Sequence, residues 1–130
     1  MKKYLLGAVT ATLVLPVLTL LPSCGNDGDD PTTCNTANVS YAKDIAPIIS
    51  SECAGVECHT GSNPLSGHPF NDYAGVKAQV DAQKLYGSVA QLQGFLPMPR
   101  KNDGTGGTYK LKDCEIAQIK AWVDAGAPNN

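Results

Sequence analysis

Two thiols and an imidazole stand within one short stretch, Cys53-Ala54-Gly55-Val56-Glu57-Cys58-His59. A cysteine pair followed directly by histidine is the arrangement that holds a c-type haem, with thioether bonds from both sulfurs to the vinyl groups. The histidine follows the second cysteine at once because both sulfurs are fixed at the porphyrin edge while the imidazole must reach the iron. The usual spacing is C-x-x-C-H; here four residues separate Cys53 from Cys58. The other axial ligand is expected far downstream on a loop. Met98 suits this, because Pro97 and Pro99 restrict the backbone around it. Met1 is the only other methionine. A His59/Met98 pair favours reduced iron and raises the potential relative to two histidines. His68 is the second candidate ligand, but it lies close to His59 on the attachment side, which disfavours distal ligation.

The same residues admit plainer readings. Cys53 and Cys58 could form a disulfide in a secreted binding module that carries no haem. Cys53, Cys58, His59 and His68 could hold zinc, although adjacent Cys and His ligands suit a tetrahedral site poorly. Thiols in an oxidising compartment also tend to pair. No nucleophile–base arrangement is visible, so the expectation is an electron carrier rather than an enzyme. Peroxidase-like chemistry would require Met98 to leave the iron open.

The elements that must position these groups are short and helical. Ser40 caps a helix in which Ile45, Ile48 and Ile49 share one side. Pro47 is expected to delay or bend that helix, which ends around Cys53. Gly61 to Asn71 is a Gly/Pro/Ser-rich loop containing His68. A second helix is expected from about Asp72 to Val80, with Tyr73, Val76 and Val80 inward. Leu85 to Gln91 adds a short helix broken near Gly87. Gln91 to Gly107 lacks periodicity, and Thr108 to Leu111 is a possible short strand. Asp113 to Ala125 is the clearest helix, with Ile116, Ile119, Trp122 and Val123 in one stripe and Gly126 and Pro128 ending it.

The first residues read as an export signal. Lys2 and Lys3 precede an apolar run from Tyr4 to Leu21, the pattern of a secretory leader. Leu21-Pro22-Ser23-Cys24 resembles the lipobox of bacterial lipoproteins. That resemblance implies a signal peptide over 1–23, cleavage before Cys24, and lipid on its thiol. Residues 24–33 then read as a flexible acidic tether and 34–130 as the single domain. The acidic tract also resembles the surface-export signals of some Bacteroidetes lipoproteins. The expected location is therefore the periplasmic side of a bacterial membrane or the cell surface, through a lipid anchor.

Formal charge is −2 over 130 residues and becomes −4 without Lys2 and Lys3. The eight remaining basic residues form no patch or stripe, so no nucleic-acid partner is expected. Lys77, Lys84, Lys110, Lys112 and Lys120 read as solvated surface available to a redox partner protein. Trp122, Tyr41, Tyr73, Tyr86 and Tyr109 read as packing residues. With two Phe and one Trp the core is modest, and a staple or large cofactor is expected to support it.

From Val39 to Asn130 the chain resembles the small cytochrome c domains of exported Bacteroidetes proteins. The matching stretches are VSYAKDIAPIISSEC, CHTG, FNDYAGVKAQV, GSV, LPMP and CEIAQIKAWVDAGAPNN. The resemblance implies an all-α, loop-rich, class I-like cytochrome c fold, with three to five short helices around one covalent haem c. It implies His59 as proximal and Met98 as distal ligand, and N- and C-terminal helices that cross. The chain departs from the pattern in its long cysteine spacer and at Lys112, where a Ser or Thr cap is common. Asp113 is expected to substitute as the cap. With Cys24 lipidated and Cys53 and Cys58 on haem, Cys34 and Cys114 remain. They are expected to form a disulfide, the alternative being two free buried thiols.

Overall fold

The computed structural model describes residues 34–54, 58–64, 66–101 and 103–130. The expected signal peptide 1–23, the lipidation site Cys24 and the tether 24–33 lie outside the described residues.

Helix α1 is built of three consecutive parts: a π-helical turn Tyr41–Ile45, an α-helical turn Ala46–Ile48 and a second π-helical turn Ile49–Cys53. Ser40 is extended, and its hydroxyl accepts the Lys43 N–H, while Asp44 reaches back to the Ser40 N–H at 2.7 Å. Pro47 does not delay this helix, which is already under way from Tyr41. It falls in the first turn of the α-helical part, and the turn before it uses i→i+5 bonds, Ile45 N–H to Ser40 and Ala46 N–H to Tyr41. Widening the helix there accommodates a ring with no N–H to donate.

Three further helices follow: α2, Tyr73–Asp81; α3, Leu85–Val89; and α4, Asp113–Asp124. Asp72 caps α2 through the Gly75 N–H at 2.9 Å. Gly87 does not break α3; it is buried in its middle because the Phe95 ring occupies the space a side chain would need. The start of α4 also differs from expectation. Lys112 holds the cap position, its N–H bonded to Glu115 at 3.0 Å. Asp113 is the first helical residue and pairs with Lys110 instead. Glu115, three residues past the cap, supplies the backward hydrogen bond that a short polar cap side chain does not reach. No strand occurs among the described residues; the stretch after Gly107 contributes only an isolated antiparallel bridge between Arg100 and Thr108.

The described chain is therefore all-α. Its core joins one face of each helix: Ile45, Val76, Val89, Ile119 and Trp122 are all fully buried. Burying each aliphatic side chain of that set contributes about 1.5–3 kcal/mol. Trp122 lies against Tyr41 at 5.5 Å between ring centroids and edge-on to Tyr73 at 6.5 Å. This fastens the first turn of α1 to the last turn of α4. Beyond α4 the chain folds back, so that Pro128 accepts the Trp122 indole N–H at 2.9 Å and Ala127 accepts the Tyr73 hydroxyl at 2.8 Å. No described buried side-chain nitrogen or oxygen lacks a partner.

Cys34 and Cys114 form a disulfide with Cα atoms 5.5 Å apart. It ties the start of the domain to the first turn of α4, as expected. Of the surface lysines, Lys77, Lys110 and Lys120 pair with Asp81, Asp113 and Asp124. No described helix is long and apolar enough to cross a membrane.

Candidate haem-attachment site

Cys53 ends α1 and is buried, 8% exposed; Cys58 and His59 follow in the loop beyond and are half-buried. Both cysteines are free thiols. Burial pushes the Cys53 thiol up to about 12, with the charges of Glu52, Cys58 and Glu115 adding to it. In the folded chain this sulfur therefore stays protonated and is a poor nucleophile. Residues 55–57 of the spacer lie outside the described residues.

The His59 ring is held from two sides. Its Nδ1 lies 2.8 Å from the backbone carbonyl of His68 and 3.0 Å from the Ser66 hydroxyl. A carbonyl only accepts, so Nδ1 carries the proton, and in the neutral ring Nε2 keeps a free lone pair. The Ser66 hydroxyl donates to the same His68 carbonyl at 3.2 Å and accepts the His68 N–H at 3.1 Å. On its face, the imidazole stacks on Phe70 with centroids 4.1 Å apart and planes 8° from parallel. The backbone pairs here too, since the Phe70 N–H donates to the His59 carbonyl at 2.6 Å.

The loop that presents these groups is closed by one amide. Asn71 accepts the Gly61 N–H and donates to the Gly61 carbonyl, both at 3.0 Å. His68, the second candidate ligand, thus serves His59 through its backbone, and its side chain is exposed.

Met98 is half-buried, in the loop between α3 and α4, and precedes a cis peptide to the buried Pro99. Its N–H donates to the Ser88 carbonyl at the end of α3, 3.0 Å away. Pro99 in turn accepts the Tyr109 N–H at 3.2 Å, and the Tyr109 hydroxyl reaches the Glu52 carboxylate at 3.1 Å. A chain of contacts thereby joins the methionine loop to the end of α1, next to Cys53. Burial, with the Glu52 carboxylate second, pushes the Tyr109 phenol up to about 12.

Just before Met98 the chain exposes three large apolar side chains, Leu92, Phe95 and Leu96, the last 60% exposed. Leu92 and Phe95 line an open groove of roughly 470 Å³, together with Val80, Leu85, Tyr86 and Val123. None of Cys53, Cys58, His59 or Met98 lines that groove. The zinc arrangement is not assembled: among the described residues no three His, Cys, Asp or Glu side chains gather as a metal site.

Sequence reasoning missed Ser66, Phe70 and Tyr109. Ser66 and Phe70 sit in the loop whose composition signals only a turn. Tyr109 read as packing, and nothing in its spacing links it to Glu52. The key acceptor, the His68 carbonyl, is a backbone group that every residue type carries. No protein-family model, no curated protein and no solved structure matches the chain.

Proposed function

We propose that this chain is a monohaem c-type cytochrome, exported and anchored by lipid on Cys24, that transfers electrons to and from redox partner proteins. The observation that carries the reading is the His59 ring, whose Nδ1 proton is held on the His68 carbonyl while the ring directly follows the free thiol of Cys58. An imidazole so held presents Nε2 as the only available ligand atom, and the hydrogen bond strengthens it as a donor to a metal.

The residues fit the group in chemistry. Cys53 and Cys58 are the two described cysteines outside the disulfide. Their sulfurs would hold the group covalently, each through one thioether bond. His59 through Nε2 and Met98 through its thioether sulfur would be the residues that hold the iron. When bound, the haem supplies a one-electron couple at iron. The protein's part is to exclude water, hold both ligands and tune the potential. Phe70 covers the His59 ring, and the Ser88 carbonyl fixes the backbone of Met98. The class I-like arrangement is proposed with the function, supported by the all-α architecture and by packing between α1 and α4.

The test is a pyridine haemochrome spectrum of the mature protein, made in a host with c-type maturation, after acid–acetone extraction. Haem that survives extraction at one per chain, and is lost when Cys53 and Cys58 are both replaced by alanine, is the expected result. A colourless protein with both thiols titratable would overturn it. For the anchor, fatty-acid labelling abolished by Cys24→Ala is expected, and labelling that persists would refute lipid at that cysteine.

A further inference from the structure

Gly75 lies in the first turn of α2, away from the cysteine–histidine motif, yet it has no room for a side chain. A Cβ there would stand 2.0 Å from the Pro69 carbonyl oxygen, 3.1 Å from its carbon and 3.5 Å from the Phe70 Cα. All three are backbone atoms, so no rotamer change relieves the contact. The segment pressed against Gly75 is the one that holds His59. His68 offers its carbonyl to Nδ1, Pro69 follows, and Phe70 stacks on the ring and bonds the His59 carbonyl. His68 and Phe70 thus fix the imidazole, and Pro69, which joins them, rests with Phe70 on a bare Cα.

We propose that Gly75 is a positioning residue, a seat for the Pro69 carbonyl that sets the plane and tautomer of the His59 imidazole through His68 and Phe70. The inference rests on the haem reading for its consequence but not for its geometry. Asp72 strengthens the seat by accepting the Gly75 N–H, which pins the first turn of α2 opposite Pro69. A methyl group at position 75 pushes the 68–70 backbone outward and takes both the carbonyl and the Phe70 ring with it. Elsewhere in a helix the same change is favourable, because alanine is the better helix former; here the backbone clash opposes it.

The experiment compares Gly75→Ala with Ala74→Gly, a change at an exposed neighbour in the same helix turn that weakens α2 without touching Pro69. Two signals are read on the mature chain: the hydrogen-bonded Nδ1 proton of His59 by nitrogen-15 NMR, and the pattern of haem methyl resonances in the oxidised protein. That pattern reports the orientation of the axial imidazole. Gly75→Ala is expected to lose the Nδ1 proton signal and reorder the methyl resonances. Ala74→Gly is expected to lower the melting temperature and leave both signals in place. A folded Gly75→Ala protein with both signals unchanged overturns the proposal, as does an Ala74→Gly protein that alters them equally.

Should Gly75→Ala fail to fold, Phe70→Leu carries the test. It keeps the seat and removes the stacking ring, so the methyl pattern shifts while the Nδ1 signal stays; an unshifted pattern refutes the role given to Phe70. If the chain carries no haem, the functional reading fails, and the Nδ1 signal alone still decides whether Gly75 sets the His59 ring.

Discussion

The Nδ1 atom of His59 lies 2.8 Å from the backbone carbonyl of His68, so the chain's two histidines play unequal parts. One ring is oriented with a free nitrogen; the other residue orients it through a main-chain oxygen and leaves its own ring exposed. A main-chain acceptor persists whatever side chain stands at position 68. On the proposed haem reading, replacing His68 by alanine is therefore expected to leave the Met98 ligation spectrum unchanged, whereas His59→Ala removes it. Loss of the spectrum in the His68 variant would make that ring a ligand.

The disulfide closes a loop of 80 residues in sequence separation. In the chain-entropy account a cross-link of that span contributes about 4 kcal/mol, less where the native state is strained. The Cys34→Ser, Cys114→Ser double variant is expected to melt at a markedly lower temperature with its helical circular dichroism retained when cold. An unchanged melting temperature would show that the staple carries no stability.

Gly87 and Phe95 form a second close seat. A Cβ at position 87 would lie 2.4 Å from the Phe95 ring, so Gly87→Ala must displace it. Overpacking in a closed core costs about 1–3 kcal/mol; because Phe95 is 38% exposed and its ring can swing outward, the cost here falls toward the lower end of that range. The smaller Phe95→Leu is expected to recover part of that loss when combined with Gly87→Ala, an interaction a double-mutant cycle by denaturant unfolding measures. Strict additivity would contradict the contact. Since Ser88 and Phe95 flank the chain's approach to Met98, on the proposed haem reading the Gly87 variant is also expected to weaken a methionine–iron charge-transfer band.

Tyr109 gives stability a pH dependence. Its phenol is pushed up to about 12, first by burial and then by the Glu52 carboxylate it bonds. An unfolded tyrosine titrates near 10, so the native state holds the extra proton between those values. The stabilisation is full below about pH 10 and is lost as pH rises through the folded value. Tyr109→Phe is expected to flatten the fall in melting temperature over that window. A fall as steep as in the parent protein would remove Tyr109 as its source.

The thiols of Cys53 and Cys58 are expected to differ in reactivity. Cys58 is half-buried, while Cys53 is buried with its thiol pushed up to about 12. In protein made without c-type maturation, iodoacetamide is expected to modify Cys58 in the folded state and Cys53 only with denaturant present. Mass spectrometry of the labelled peptides reads this directly, and equal rates in the folded state would contradict the burial of Cys53.

Much of the architecture was legible one element at a time. The apolar spacing of Val76 and of Ile119 and Trp122 marked α2 and α4, because a helix face reports its own period. Ser40 declared its cap by residue type. The pairing of Cys34 with Cys114 followed from a process of assignment among five cysteines, and the disulfide is present. The cysteine–histidine motif and the proline-flanked Met98 were equally plain as candidates.

Tertiary structure decided what depends on two segments meeting. Pro47 sits inside α1 because the preceding π-helical turn makes space for it. Gly87 continues a helix rather than breaking it because the Phe95 ring fills the gap beside it. Lys112 caps α4 in place of Asp113 because Glu115 reaches back to its N–H. His59 takes its orientation from the His68 main-chain carbonyl, and the next two residues, Pro69 and Phe70, pack against the bare Cα of Gly75. Periodicity and residue type encode which side chains seek burial or charge. Backbone carbonyls and missing side chains carry no such code, and their partners exist only once distant parts of the chain have packed together.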